Sequence, residues 1–205
     1  MNTEGHAERF SRAADRYYTD RLPGRSQCIQ KVLELLNPQL DDVILDIGCG
    51  PGIQLIQLAE SIRAGIGVDP AEAMIQRARS DAVNCQNLSF VKGSAEKLPE
   101  EICQTGVNKI YSNYVIHHLP NTHKREAIRG LANLLPTGGL FILGDMMFSD
   151  DPEKHKDLFD YVGYVPENDS PAYVSELKEM FSESNLIPKI HVLNPLVAVI
   201  LGQKI

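Results

Sequence analysis

The sequence predicts an α/β fold in which a mainly parallel sheet carries helices on both faces. The first observation is an apolar run at residues 44–47 that enters a glycine-rich turn and continues with helical periodicity. The second is that further apolar runs alternate with helical segments, as in βαβ units. The third is a closing pair of runs, Ile187–Leu193 and Leu196–Leu201, whose separation by Asn194-Pro195 predicts an antiparallel hairpin. A chain of 205 residues, 43% of them hydrophobic, is large enough for one such domain.

The turn after the first strand is the strongest functional signal. Residues 44–52 read I-L-D-I-G-C-G-P-G, so Asp46 is followed by Gly48, Gly50 and Gly52. Amides at a helix start favour an anionic group, and glycines let a ligand lie against the backbone. A dinucleotide fingerprint has its third glycine three residues after the second, whereas the interval here is two. Because Asp46 would repel a diphosphate but bind an ammonium, directly or through water, the turn favours an amino-acid ligand.

The second strand, residues 64–68, ends at another carboxylate. Asp69 lies about 20 residues beyond the glycine turn, where an acidic side chain can accept both hydroxyls of a ribose. Asp69, Pro70 and Glu72 also form the pattern of a helix N-terminus, with Asp69 as the cap. A cap would hold the carboxylate at the carboxyl edge of the strand, so the two roles are compatible.

Three further runs complete the parallel part of the sheet. They are predicted as strands at Leu88–Lys92, Val107–Asn113 and Leu140–Asp145. Ligands of open α/β sheets lie beyond the carboxyl ends of the strands. We therefore expect Asn113–His118 and Asp145 to line the crevice in which a substrate binds.

On these motifs the chain resembles class I S-adenosylmethionine-dependent methyltransferases, in the small-molecule, ubiquinone-biosynthesis-like branch (methyltransferase domain 11/25 type). The resemblance covers about residues 40–145 and the terminal hairpin. It implies a Rossmann-like, seven-stranded mixed sheet and S-adenosylmethionine as the cofactor. The family commonly has an aspartate that contacts adenine where this chain has Ser94, and it has a residue near the adenosine at the position of Met74. The expected cofactor-binding residues are Tyr17, Tyr18, Asp46, Gly48, Cys49, Gly50, Gly52, Asp69, Pro70, Met74, Ser94, Ala95, Glu96 and Asn113.

Two segments are expected to cover the crevice. The amphipathic pattern at residues 10–22 resembles the N-terminal lid of the family, in which a tyrosine approaches the amino-acid end of the cofactor. Between the fifth strand and a helix near Pro171, Asp151-Pro152-Glu153 predicts a helix start before the apolar residues Leu158, Phe159, Tyr161 and Val162. The chain is therefore divided into lid helices (1–40), a cofactor-binding core (41–145), a substrate lid (146–170) and a final helix with the hairpin (171–205).

Composition and missing motifs exclude other classes. A net charge of −7 without basic clusters disfavours nucleic acid as a substrate. The Pro-Pro-aromatic tetrad of base-amine methyltransferases and the Pro-Cys of cytosine C5 methyltransferases do not occur. The sequence contains no apolar run of membrane-spanning length, no signal-peptide pattern and no C-x-x-C, so we expect a cytoplasmic protein with reduced cysteines. A homodimer is compatible with the sequence.

The expected reaction is in-line transfer of the methyl group to oxygen, nitrogen or carbon of a small organic acceptor. His117 is the candidate general base, because imidazole titrates near working pH, and His118 is expected to be structural. Asp145 would orient the acceptor or only end its strand. No metal site is expected, because His117, His118, His155 and Asp145 lack a recognised ligand spacing. The alternatives are a nicotinamide-dependent oxidoreductase and a cofactor-binding scaffold without catalysis; a cysteine-held metalloid acceptor would need the four separate thiols to converge in space.

Overall fold

The computed structural model describes residues 23–205, which form one mixed sheet with helices on both faces. The strands are β1 (Val43–Ile47), β2 (Ala64–Asp69), β3 (Leu88–Lys92), β4 (Lys109–Asn113), β5 (Leu140–Phe148), β6 (Ala172–Tyr173), β7 (Leu186–Asn194) and β8 (Val197–Lys204). The α-helices are α1 (Pro23–Leu36), α2 (Ile53–Leu58), α3 (Glu72–Asp81), α4 (Asn121–Leu134), α5 (Phe159–Val162) and α6 (Val174–Glu183). Short 3₁₀ turns occupy Ala59–Ser61, Glu100–Gln104, Ile116–His118 and Pro152–Leu158.

The main path of the sheet has seven strands in the order β3-β2-β1-β4-β5-β8-β7. Strands β1 to β5 pair in parallel, and β8 is inserted antiparallel between β5 and β7. The predicted mixed sheet and terminal hairpin are thus confirmed. The two-residue strand β6 adds an eighth member by pairing with the end of β5. The strand order reverses between β1 and β4, so the crevice for a ligand opens at their carboxyl ends.

The core has two halves because side chains alternate across the sheet. On one face, Leu45 and Ile47 of β1 share a buried cluster with Ile128 of α4 and Phe181 of α6. On the other face, Ile44 belongs to a cluster that α1, α2 and α3 complete through Val32, Leu36, Leu55, Ile75 and Ala78. Helices cover both faces, as the sequence predicts.

Some element boundaries differ from those predicted. β5 continues to Phe148 instead of ending at Asp145, because Met146 still pairs with Val197 of β8 and residues 146–148 are buried. The segment predicted as a lid therefore starts after Phe148. The predicted helix start at Asp151 is confirmed, since its side chain accepts a hydrogen bond of 3.1 Å from the Glu153 amide. The first part is a 3₁₀ turn in which His155 leaves helical geometry, and Phe159–Val162 follow as the α-helix α5. No helix within residues 23–205 combines the length and apolar character that crossing a bilayer requires.

Candidate functional site

The glycine turn after β1 packs closely against neighbouring side chains. Gly48 and Gly52 have φ angles of 72° and 77°, in the left-handed region that glycine adopts without strain. A Cβ on Gly48 would lie 2.1 Å from Val115 Cγ2, and one on Gly52 would lie 2.7 Å from the Phe90 ring. Cys49 is buried.

The amides of this turn are bound by β2. Those of Gly48 and Cys49 donate to the Val68 carbonyl at 2.7 and 3.0 Å, and that of Gly50 donates to Asp69 at 2.9 Å. These three amides therefore hold the loop against β2 and are not available to an anionic ligand.

Asp46 lies beneath the turn. Its side chain is buried and accepts a hydrogen bond of 2.7 Å from the Tyr111 hydroxyl. Burial raises the pKa of Asp46 to about 7, with a further contribution from the charge of Asp69 and opposition from the Tyr111 hydrogen bond. Asp46 does not line the cavity next to the turn, so its carboxylate has no direct access to an ammonium group bound there.

Asp69 ends β2, and its carboxylate joins that strand to the glycine turn and to the residues before α3. One carboxylate oxygen accepts the Gly50 amide, and the other accepts the Ala71 amide at 2.8 Å. Burial raises the pKa of Asp69, although these two hydrogen bonds oppose the effect. The expected helix cap is wrong in detail, because α3 begins at Glu72 with Ala71 as its N-cap residue. Asp69 instead closes a turn before the helix, and each oxygen retains capacity for a further hydrogen bond.

An open cavity of about 770 Å³, which includes space continuous with solvent, lies at the carboxyl ends of β1, β2 and β4. Concave sites of this kind, at the carboxyl ends of the strands, are where open α/β sheets bind small ligands. The cavity is lined by Gly48, Gly50, Asp69, Pro70, Met74, Ser94, Ala95, Glu96, Asn113, Tyr114, Val115, His118 and Leu119. Nine of the predicted cofactor residues are in this set, and Asp46, Cys49 and Gly52 are not. Tyr17 and Tyr18 lie outside the described residues.

Asn113 is the wall residue whose chemistry most clearly requires a ligand. Its side-chain oxygen and nitrogen are both buried, and neither has a hydrogen-bond partner among residues 23–205. A buried amide without partners is costly, so this group is suited to a ligand that both donates and accepts. The next residue, Tyr114, has a φ of 58° and packs its ring under the Arg25 guanidinium, 4.9 Å from the ring centroid.

The two adjacent histidines are arranged opposite to the expectation. His118 lines the cavity, whereas the side chain of His117 is only 1% exposed and is absent from the lining. The His117 Nδ1 atom lies 2.5 Å from Asp145 Oδ1, and the backbone amide of His117 donates to the other oxygen at 3.1 Å. The predicted candidates His117 and Asp145 are therefore a buried pair. Asp145 also lies within β5 rather than at its end, because three more strand residues follow it.

Two residues that complete this region belong to no motif in the sequence. Asp169 Oδ1 lies 3.3 Å from His118 Nδ1 and 3.7 Å from His117 Nε2. Although burial opposes it, a hydrogen bond with His118 and the charge of His117 hold the pKa of Asp169 below its usual range. The buried Lys124 donates to the Leu119 carbonyl and, at 2.6 Å, to the Ser170 carbonyl. The end of the segment after β5 is thereby fixed against the cavity wall.

Comparison with known proteins identifies the family that carries this site. Residues 44–139 match the model of a family described as a methyltransferase domain. YcgJ of Bacillus subtilis (strain 168), an uncharacterised methyltransferase, is 27% identical over 184 residues, which cover 86% of this chain and 70% of YcgJ. Residues 44–139 are thus a methyltransferase domain, and these similarities support a class I S-adenosylmethionine-dependent methyltransferase.

The methyltransferase is also similar in fold to solved structures. The crystal structure of YcgJ aligns with a TM-score of 0.71 at 21% identity, covering 87% of this chain and 98% of that one. The DhpI–SAH complex aligns with a TM-score of 0.74 at 14% identity, covering 98% and 96%. The predicted fold, enzyme class and cofactor are confirmed, and the methyltransferase interpretation is favoured over a nicotinamide-dependent oxidoreductase.

Proposed function

We propose that this methyltransferase transfers the methyl group of S-adenosylmethionine to oxygen, nitrogen or carbon of a small organic acceptor. The observation that carries the proposal is the cavity in which the Asp69 carboxylate and the Asn113 amide, which has no partner within residues 23–205, form parts of the same wall. Methyl transfer from a sulfonium needs mainly alignment, and positioning can supply about 7–11 kcal/mol of barrier reduction. Related folds solved with geranyl diphosphate or with HEP are consistent with small organic acceptors.

The cofactor is proposed to follow the wall of the cavity. Asp69 accepts the ribose hydroxyls, and Met74 with residues 94–96 surrounds the adenine. The amino-acid tail lies by Gly48 and Gly50, where the Asn113 amide supplies a donor and an acceptor. Asp46, behind the turn, acts on the ammonium group through water. Tyr17 or Tyr18 closes this end from the N-terminal segment.

His117 and Asp145 are proposed to act on the acceptor and not on the cofactor. When His117 Nδ1–H donates to Asp145, Nε2 carries a lone pair. That nitrogen points toward Asp169, beside the His118 wall of the cavity. It is the basic atom through which an acceptor hydroxyl can be activated.

The first 22 residues and the segment 149–170 cover the cavity, residues 41–145 bind the cofactor, and residues 171–205 complete the sheet; the predicted lid 1–40 is wrong for α1, which packs its Val32 and Leu36 in the core. Aromatic side chains of the second cover, Phe159 and Tyr164, pack edge-to-face at 4.8 Å and suit an organic acceptor. We further propose a cytoplasmic enzyme of the ubiquinone-biosynthesis-like branch, able to form a homodimer and without nucleic acid as a substrate, in line with its charge of −7.

Calorimetry with S-adenosylhomocysteine tests cofactor binding. We expect saturable binding that excess NADH does not inhibit, and a loss of about tenfold or more in affinity for Asp69→Asn, because a charged acceptor is worth about 1.5–3 kcal/mol. Asp150→Asn, at an exposed carboxylate outside the cavity, is the matched control and should bind normally. Absence of binding at high micromolar concentration would overturn the assignment. A metabolite screen with methyl-labelled donor then identifies the acceptor by its gain in mass.

A further inference from the structure

A cluster of three side chains beside the cavity has the composition of a metal site. His117 Nε2, His118 Nδ1 and Asp169 Oδ1 all lie within 4.8 Å of one another. Two imidazole nitrogens and one carboxylate oxygen are a donor set that divalent first-row ions such as Zn²⁺ bind. The sequence did not predict this set, because Asp169 stands about 50 residues after the histidines and reaches them only through the fold.

The separations fit shared coordination. His117 Nε2 and Asp169 Oδ1 are 3.7 Å apart, beyond the range of a hydrogen bond, and His118 Nδ1 is 3.3 Å from the same oxygen. Two ligands at bonds of about 2.0–2.1 Å to a tetrahedral ion are about 3.4 Å apart. Both distances are close to this value, and His117 Nε2 and His118 Nδ1 lie within 4.8 Å of each other, so side-chain adjustment can bring the three atoms onto one ion.

The cluster also has the supporting contacts that metal sites need. Asp145 contacts His117 Nδ1 at 2.5 Å, which leaves Nε2 as the ligand atom, as in carboxylate–histidine–metal arrangements. The Val165 amide donates to Asp169 Oδ2 at 2.9 Å and fixes the carboxylate. The Ser170 amide donates to the His117 carbonyl at 2.8 Å, which joins the two chain segments. Asp145 and Asp169 together offset the charge of a divalent ion.

We propose that His117, His118 and Asp169 bind a divalent transition-metal ion, with Zn²⁺ as the best match, whose fourth position faces the acceptor. Binding of the ion does not depend on the proposed function, whereas its role rests on it. When the ion is bound, His117 Nε2 is a ligand, and the ion replaces that nitrogen as the group that activates the acceptor. Three protein ligands leave one position open, as in catalytic zinc sites, and His118 connects the cluster to the cavity. A hydroxyl acceptor bound there releases its proton to solvent; its oxygen then forms a bond to the methyl carbon while the S–CH₃ bond breaks and its electron pair returns to sulfur.

Cobalt titration of the full-length, chelator-treated protein tests the site. We expect one equivalent of Co²⁺ to bind with the visible absorption of a tetrahedral complex and to be displaced by Zn²⁺. Asp145→Asn should weaken binding about 10–100-fold, as loss of an outer partner does, and Asp169→Asn or His118→Gln should weaken it further. The control His155→Gln alters a partly exposed histidine that lies 3.1 Å from Asp150, and it should leave Co²⁺ binding unchanged.

The outcomes separate the two proposals. Circular dichroism confirms that each variant is folded, and S-adenosylhomocysteine binding is measured on the metal-free protein. If folded Asp169→Asn binds Co²⁺ like the wild type, or if the wild type binds none, the metal site is overturned even when the cofactor binds. If the cofactor fails to bind with and without metal, the proposed function fails whatever the cobalt titration gives.

Discussion

Asp46 and Tyr111 are directly opposite each other in the parallel β1–β4 pair, and the Tyr111 hydroxyl donates to the Asp46 carboxylate at 2.7 Å. Both side chains are buried. The hydroxyl is the one side-chain donor that Asp46 has among residues 23–205. The buried carboxylate behind the glycine turn therefore depends on a residue of β4 for its hydrogen bond.

Tyr111→Phe should destabilise the protein by about 1.5–3 kcal/mol, because it removes a hydrogen bond to a buried, ionisable group while keeping the ring. Urea unfolding at pH 8 measures the loss. Tyr161→Phe serves as the matched control, since Tyr161 is partly exposed. In the Asp46→Asn background the cost of Tyr111→Phe should shrink; equal costs in both backgrounds would show that the hydroxyl does not serve the carboxylate.

The stability of the wild type relative to Asp46→Asn should depend on pH. The pKa of Asp46 is raised from 3.8 to about 7 on folding, so the native state retains a proton that the unfolded chain releases. The free energy of unfolding of the wild type minus that of Asp46→Asn is therefore largest below pH 3.8. It decreases as the pH rises toward about 7 and is smallest above that pH. A difference of one pH unit between the folded and unfolded pKa corresponds to about 1.4 kcal/mol, so the total change should be a few kcal/mol.

Denaturant unfolding of both proteins between pH 4 and 8 measures this difference. Asp69 titrates in both proteins, so only its electrostatic coupling to Asp46 enters the difference. A difference that is constant with pH would mean that Asp46 does not change its protonation on folding in this range.

Gly48→Ala should destabilise the protein and abolish detectable S-adenosylhomocysteine binding. The new methyl would lie 2.1 Å from Val115 Cγ2, in addition to the cost of a left-handed backbone. Gly106→Ala isolates the backbone cost, because Gly106 has nearly the same φ of 70° but nothing within 4 Å of the added atom. We expect about 1–2 kcal/mol for Gly106→Ala with normal binding. Val115→Ala should partly rescue Gly48→Ala, and absence of rescue would contradict the steric explanation.

Lys124→Met should loosen the end of the segment that follows β5. The ammonium joins the Leu119 and Ser170 carbonyls, and the apolar replacement leaves them without that donor, at a cost of about 1–3 kcal/mol. Hydrogen exchange should rise at residues 165–170 more than in β1 or β4. Lys156→Met, at an exposed pair with Glu153, should stay within about 0.5 kcal/mol of the wild type. Unchanged exchange at residues 165–170 would show that Lys124 does not anchor them.

Local patterns were enough to predict the sheet and one wall of the cavity. The strand at Leu88–Lys92 has the predicted bounds, and Asp69, Met74 and Asn113 reach the cavity, because strand ends and glycine turns follow from nearby residues. The extension of β5 past Asp145 was not predictable, since it depends on pairing with Val197 far along the chain.

The arrangement of His117, His118 and Asp169 could not be predicted from local sequence patterns either. The two histidine rings lie side by side, with centroids 3.9 Å apart, and Asp145 of β5 binds His117 so that only His118 lines the cavity. The position of Asp169 is likewise set by contacts made after folding, with the Val165 amide and with His118. Similarly, the burial of Asp46 depends on Tyr111, a residue on a different strand.

The short pairing of β6 with β5 has a consequence for how acceptor preference can change. Phe148 and Tyr173 are partners in this pairing, so the excursion at residues 149–171 leaves and rejoins the sheet at neighbouring points. The entropy of closing such an excursion grows only slowly with its length. Insertions or grafts between residues 149 and 164 should therefore be tolerated as long as Asp169 and Ser170 keep their contacts with His118 and Lys124. Acceptor preference can thus be re-engineered in this part of the chain while the cofactor half of the enzyme is left intact.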